Sequence, residues 1–234
     1  VEDFKHTVEQ AAAWARAHDD LVTLGVKPTR PETGYGYLRV GGRVGDRVKG
    51  DCSRVDAFVE KPSLDKAEEF LKAGNYLWNG GMFLWRADVI LAAFDRFMPE
   101  YKQVWESNGG AVADAYPKMT ATSIDYGVME KAKNVVTFAL DCGWDDLGSW
   151  TSLESVADVL GAREANGVVS AGEVVAVESK GYVVDAPGKL VALLGVDDLI
   201  VVETGGAILV ARKDRAQDIR LIVEQVKKQR PELA

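Results

Sequence analysis

The stretch DFKHTVEQAAAWARAHDDLVTLGV, residues 3 to 26, sets the fold class. Phe4, Val8, Ala11, Ala12 and Ala15 recur at helical spacing, so residues 3 to 19 are expected to form an amphipathic helix with one face on a core. LVTLGV, residues 21 to 26, then reads as a buried strand. A helix followed by a short apolar strand is the repeating unit of an α/β layer structure.

The same alternation continues downstream. In KPTRPETGYGYLRV the closely spaced prolines and glycines demand a loop, after which YGYLRV resumes as strand. VDAFVE at 55 to 60 is strand-like and runs into KPS, where Ser63 can cap a helix carrying Leu64, Ala67, Phe70 and Leu71 on one face. Gly74 is its natural stop. YLWNGG reads as a loop, Met82 to Trp85 as a buried strand and Ala87 to Phe97 as a helix ended or kinked by Pro99. SIDYGVMEKA suggests another short helix, and NVVTFALD, residues 134 to 141, another strand.

Beyond about residue 160 the texture changes to short β-rich runs such as EVVAVES, GYVVDA and DLIVVET, separated by Gly or Asp turns. The expected domains are therefore 1–160 and 161–234. The second is a compact β-domain whose repeats are too irregular to name a propeller or solenoid from pattern alone. RAQDIRLIVEQVKKQ closes it as an amphipathic helix with Ile219, Ile222, Val223 and Val226 in one stripe, which packs on its own domain or on a second subunit.

Composition removes several function classes. A net charge of -8 argues against a general nucleic-acid binder, which needs basic surface to displace counterions from phosphates. No apolar run approaches the roughly 20 residues that span a bilayer, and the charged opening VEDFKHTVEQ is not a signal peptide, so no membrane partner and a cytoplasmic location are expected. Cys52 and Cys142 sit in no metal-ligand or redox spacing. His6 and His18 lie twelve positions apart on the first helix and are expected to point in different directions, which disfavours a histidine triad or zinc site. Chemistry must then rest on carboxylates, lysines, backbone amides or a hard metal ion.

Four loops flank strands of the first domain, where α/β proteins place ligands. In GYGY, Gly34 and Gly36 allow close backbone approach, or simply a tight turn between two half-buried tyrosines. In EKP, Glu60 can accept bonds from sugar hydroxyls and Lys61 can neutralise a phosphate, or both can be solvated at a strand end. In WNGGMF, Asn79 beside Gly80 offers both a donor and an acceptor to vicinal hydroxyls, or forms a plain Asn-Gly turn. In GWDDLGSW, residues 143 to 150, Asp145 and Asp146 could hold Mg²⁺ against phosphate oxygens. Equally, Asp146, Ser149 or Thr151 could cap the next helix, Thr151 and Glu154 even spelling a capping box.

Taken in order, GVKPTRPETGYGYL, FVEKP, WNGGMFLWRADVIL, SIDYGVMEKA and GWDDLGSW resemble the sugar-phosphate half of mannose-1-phosphate guanylyltransferases, members of the sugar nucleotidyltransferase superfamily. The resemblance covers most of residues 1 to 160, and the β-rich tail with its closing helix is similar to that family's β-helix-like region. It implies an α/β, Rossmann-like nucleotidyltransferase domain followed by a small β-helix-like domain with a terminal helix. The family's glycine-rich GGxGTRL-like loop and its first metal-binding aspartate do not occur in this sequence, so the chain is expected to be a fragment lacking the nucleotide-activating part and inactive alone. The sequence given ends at RPELA without an isomerase module, so the monofunctional type is expected.

Mapped motif to motif, the resemblance implies that Gly34, Gly36 and Gly80 line the sugar site, Glu60 and Asn79 bind hydroxyls, and Lys61 contacts the phosphate. Asp146 is the implied Mg²⁺ ligand, with Asp145 supporting it; Lys61 and Asp146 are the implied catalytic pair. The implied substrates are GTP and mannose 1-phosphate, the products GDP-mannose and pyrophosphate, and the implied assembly a homodimer. Rival readings are another sugar-nucleotide pyrophosphorylase, using glucose 1-phosphate with UTP or dTTP, or a non-catalytic sugar-nucleotide-binding subunit.

Overall fold

The computed structural model describes residues 2–44 and 52–233, which fall into two compact units, Val1–Trp144 and Asp145–Ala234. The first contains helices α1 (Glu2–Ala17), α2 (Leu64–Ala73), α3 (Ala87–Phe97), α4 (Pro99–Ser107) and α5 (Val112–Ala115). Its strands are β1 (Leu21–Val26), β2 (Tyr37–Arg43), β3 (Cys52–Val59), β4 (Tyr76–Leu84) and β5 (Val135–Leu140), with a π-helical turn over Asp125–Met129. The strands close into a ring in the order β1-β4-β2-β3-β5, with β5 returning to β1. Only β1 and β5 run parallel; the other pairs are antiparallel.

All six residues of β1 are buried, as expected of a strand covered on both faces. Val22, Leu24 and Val26 pack with Ala11, Trp14 and Ala15 of α1, whereas Leu21 packs with Val89 and Ile90 of α3. The corner between α1 and β1 is pinned by Asp20, which accepts from Trp14 Nε1 at 2.9 Å and from Arg54 Nη1 of β3 at 2.5 Å. Ser63 stands at the start of α2 without a side-chain capping bond, and Gly74 ends it in the left-handed region at φ 71.

One expectation is corrected here. The WNGG stretch lies inside β4 and is no loop, because Tyr76 to Trp78 already pair with β2. His6 and His18 both line one shallow cleft on the surface of α1, where the His18 ring stacks on Trp14.

The second unit contains α6 (Leu153–Leu160), strands β6 (Gly167–Val177), β7 (Tyr182–Leu194), β8 (Leu199–Thr204) and β9 (Ala207–Arg212), and α7 (Ile219–Gln229). β6, β7 and β8 are mutually parallel, although only residues 178–181 and 195–198 connect them. Parallel neighbours in a flat sheet need a crossover of a dozen or more residues. Here the strands bend instead: the β6–β7 register slips around Gly172 (φ 95), and Gly188 (φ 68) turns β7. The two connections repeat the same corner, with Glu178 and Gly181 in one and Gly195 and Asp198 in the other at positive φ. The chain thus coils, and Val168, Val183 and Ile200 stack in register at its centre.

α6 packs in the second unit, where Leu153 and Ala157 meet the Val168–Val183–Ile200 stack. Of the stripe on α7, Ile219 joins that core, while Ile222 and Val223 remain half exposed.

Candidate active site

The candidate residues of the first unit gather where β3 ends, where β4 is irregular and where the loop before β2 comes closest. Beyond Val59 the chain passes through Glu60 into Lys61, whose φ of 47 is left-handed. A side chain bearing a Cβ pays roughly 1–2 kcal/mol for that conformation, so surrounding bonds must hold it. Glu130 accepts from the Glu60 backbone N–H at 3.0 Å, and Lys61 Nζ lies 3.1 Å from Glu60 Oε1. The Glu60 side chain is almost buried and that of Lys61 is well exposed.

Asn79 sits at a break in the β1–β4 ladder, where Thr23 opposes Phe83 but Gly25 opposes Asn79. The extra β4 residues bulge through Gly81, at φ 65, and a bulge re-aims the side chain beside it. Asn79 is buried; its Oδ1 accepts from Thr23 Oγ1 at 2.8 Å and from Gly81 N at 3.4 Å, and its Nδ2 donates to Asp125 Oδ1 at 3.2 Å. The expectation of a free donor and a free acceptor is thereby corrected. An amide oxygen has two lone pairs, both engaged here, and one of the two Nδ2 hydrogens is taken. Asn79 can offer a ligand one N–H.

The loop before β2 is held by Glu32, whose Oε1 accepts from Gly34 N at 3.0 Å and whose carbonyl accepts from Tyr37 Oη at 2.9 Å. Tyr35 and Tyr37 are buried, not half-buried, and Tyr35 meets the rings of Trp78 and Trp144 edge-on. The two aromatics of GYGY therefore build core. Gly36 serves a different end: a Cβ there would stand 2.5 Å from Glu60 Oε2 and 3.3 Å from Asn79 Cβ. Gly36 thus brings its backbone against both Glu60 and Asn79, and Asn79 N also donates to Gly36 O at 2.7 Å. Gly80 lies close against the β1 backbone, where a Cβ would be 3.0 Å from Leu24 O.

Burial raises the Glu60 carboxyl above the usual glutamate range; the Lys61 ammonium opposes this, and the Asp125 carboxylate adds to it. In the native state Glu60 therefore keeps its proton at pH values where an unfolded glutamate has lost it. The unfolded state binds fewer protons in that window, so stability falls as pH rises from the ordinary glutamate range through the raised native value. Glu60→Gln should abolish this component. Denaturant melts across that window should show the wild-type protein losing stability relative to the Gln variant, and parallel curves would contradict the assignment.

Asp145 and Asp146 open the second unit. Asp145 Oδ1 accepts from Leu147 N at 3.1 Å, and the Ser155 hydroxyl of α6 lies 3.1 Å from its Oδ2. Asp146, the more exposed of the two, accepts from Gly148 N at 2.9 Å. A Cβ on Gly148 would come within 2.6 Å of Asp146 Oδ2, so the glycine makes room for that carboxylate. Leu147 between them is left-handed at φ 50. Capping is done by Ser149, which accepts from Thr151 N at the start of a 3₁₀ turn over Trp150–Ser152. Thr151 lies inside that turn, so the Thr151–Glu154 capping box does not form.

Among the described residues no group of three or more His, Cys, Asp or Glu could hold a metal by itself. Two adjacent aspartates on a turn nevertheless fit Mg²⁺, a hard cation that takes one or two protein carboxylates and completes its octahedron with phosphate and water oxygens.

Three contributors escaped the sequence reading: Thr23, Asp125 and Glu130. Asp125 opens the π-helical turn and Glu130 directly follows it. Widening by one residue per turn delivers their carboxylates onto Asn79 and Glu60. The motif SIDYGVMEKA was visible, but a helical reading at ordinary pitch gives no reason to single out these two positions.

Comparison with known proteins shows the family. The nucleotidyl transferase family model matches residues 2–162, and the MannoseP isomerase/GMP-like beta-helix domain model matches 172–226. A mannose-1-phosphate guanylyltransferase of Salmonella montevideo is 40% identical over 238 residues, covering 97% of this chain and 49% of the relative. One of Escherichia coli K12 is 36% identical over 234 residues, covering 96% and 48%. The chain spans about half the length of the curated relatives it matches. A crystal structure described as mannose-1-phosphate geranyltransferase from Thermus thermophilus superposes with a TM-score of 0.82 at 36% identity, covering 97% of this chain and 65% of that one.

Proposed function

The chain belongs to the nucleotidyl transferase family, and on that premise we propose that it supplies the sugar-phosphate site of an enzyme that makes GDP-mannose and pyrophosphate from GTP and mannose 1-phosphate. The observation that carries the reading is the convergence of Gly36, Glu60 and Asn79: a close backbone approach, a buried carboxylate and a single amide N–H set for a polyhydroxyl ligand. Relatives bearing the guanylyltransferase name at 34–40% identity support the choice of sugar and nucleotide.

In this reading a phosphate oxygen of mannose 1-phosphate attacks the α-phosphorus of GTP. The new P–O bond forms as the bond to the β-phosphate breaks, and the electron pair leaves with pyrophosphate. The nucleophile is already an anion, so no histidine base is required, and catalysis rests on alignment and charge neutralisation. Glu60 accepts from a sugar hydroxyl and Asn79 donates to one. Lys61 exchanges its resting contact with Glu60 for the sugar phosphate, the left-handed backbone directing its side chain. Asp146 would hold Mg²⁺, with Asp145 bracing the turn through Leu147 and Ser155. The cation's contribution when bound is to neutralise phosphate charge.

The same proposal covers a cytoplasmic enzyme that forms a homodimer. Support for self-association is limited to exposed apolar residues on the coil, including Val175, Val177, Leu190 and Leu194. Among the described residues no helix is long and apolar enough to cross a membrane.

A panel assay tests the function. With the full-length protein, mannose 1-phosphate and GTP should give the highest kcat/KM among combinations of mannose 1-phosphate or glucose 1-phosphate with GTP, UTP or dTTP. A preference for glucose 1-phosphate would overturn the sugar assignment, and absence of turnover with every pair would favour the binding subunit.

A further inference from the structure

We infer that Asp125 is a positioning residue that fixes which atom of Asn79 reads the sugar, and that with Thr23 it makes the discrimination between sugar phosphates depend on a single donated hydrogen bond. The inference rests on the sugar-site reading above. It starts from an ambiguity inherent in asparagine: the two ends of its amide have nearly the same shape, and only their partners decide which faces a ligand.

Here the partners are unequivocal. The Gly81 backbone N–H can only donate, so the atom of Asn79 near it, 3.4 Å away, is the oxygen. Thr23 donates to the same oxygen at 2.8 Å. On the other side Asp125 Oδ1 accepts from the Asn79 amide at 3.2 Å, so the atom facing it is the nitrogen. Thr23 and Asn79 are both buried, and water is a poor substitute for a lost partner at such sites.

The Asp125 carboxylate also adds to the burial that raises the Glu60 carboxyl. Asn79, Glu60 and the π-helical turn therefore form one connected set, with Glu130 holding the Glu60 backbone from the other end of that turn. A hydroxyl that bridges the site must accept from Asn79 and donate toward Glu60. Were the Asn79 amide reversed, its oxygen would face that hydroxyl and two acceptors would compete for one proton. A sugar whose hydroxyl at this position has the opposite configuration cannot make the pair. The site built to donate then loses its bond, which is the situation in which polar sites discriminate well.

The test uses the full-length protein and steady-state kinetics. Asp125→Ala should raise KM for the preferred sugar phosphate about tenfold, the size of one hydrogen bond, with kcat and the KM for the nucleotide little changed. It should also reduce the kcat/KM ratio between mannose 1-phosphate and glucose 1-phosphate. Asp125→Asn retains an oxygen that can accept from Asn79 and should restore most of both quantities. Thr23→Val releases the other end of the amide and should repeat the Ala phenotype while leaving the Asp125 carboxylate in place.

An unchanged sugar KM and sugar ratio in both Asp125→Ala and Thr23→Val would overturn the inference. So would equal losses for sugar and nucleotide in every variant, Asn included, which is the mark of general damage to the fold. If Asp125→Ala does not fold, Thr23→Val and Asp125→Asn decide by the same criteria. Failure of the broader reading looks different: the wild-type protein itself would then prefer another sugar phosphate, or turn over none.

Discussion

Asp146→Asn in the full-length protein is expected to lower kcat by about 10³-fold, roughly 4 kcal/mol of transition-state stabilisation, while leaving the KM for the sugar phosphate near its wild-type value. Asparagine is more informative than alanine here. Asp146 has a structural duty as well as the proposed one, since it accepts from Gly148 N and steadies a turn whose middle residue, Leu147, is left-handed. An asparagine oxygen can accept the same bond, so the turn is kept and only the negative charge is removed. If the carboxylate served the turn alone, the Asn variant would keep its activity. If it serves a cation, activity falls and the dependence on Mg²⁺ concentration shifts upward. Asp145→Asn should cost less, because Asp145 is committed to Leu147 N and Ser155. Equal activity of wild-type and Asp146→Asn protein across a Mg²⁺ titration would remove Asp146 from the metal site.

Gly36→Ala should lower kcat/KM for the sugar phosphate by about 100-fold, the scale of a roughly 1 Å misplacement of a binding group, with a melting temperature close to wild type. The added methyl would stand 2.5 Å from Glu60 Oε2, and its next neighbours, Asn79 Cβ and Phe58 Cε1, are at 3.3 and 3.4 Å. The first contact is impossible and the others are tight. What must yield is the far end of the Glu60 side chain, which can swing away at little cost to the core. The variant thus moves a proposed sugar ligand without opening a cavity, so binding and folding separate in one experiment. An unaltered sugar-phosphate KM in a folded Gly36→Ala protein would show that the Glu60 carboxylate does not touch the sugar.

Much of the framework was legible in the sequence. The helix and strand expected from residues 3 to 26 form as α1 and β1, Gly74 ends α2 in the left-handed conformation, and Ser149 caps the turn after the paired aspartates. The motifs GYGY, EKP, WNGG and GWDD each supply residues to one of the two candidate clusters. Within a motif, though, neighbouring residues did different jobs that no local pattern separates. Tyr35 and Tyr37 are core while Gly36 touches the site, and Leu147 is left-handed directly after two carboxylates that are bonded differently.

The sequence alone determined the order of helices and strands, the places where turns must fall and the residue types available for chemistry, because periodicity, capping and turn preference act over a few neighbouring residues. Tertiary structure alone decided how those residues are aimed. Asn79 became a one-hydrogen donor only when Thr23, 56 residues away, and Asp125, 46 residues away, closed on its two ends. The Lys61 backbone is left-handed beside a Glu60 amide held by Glu130, 70 residues on. α6 joined the second unit because Leu153 and Ala157 found the stack of Val168, Val183 and Ile200. Hydrogen bonds and apolar contacts over such separations leave no periodic trace in the chain; they arise when the strand ring closes and the π-helical turn comes to rest against it.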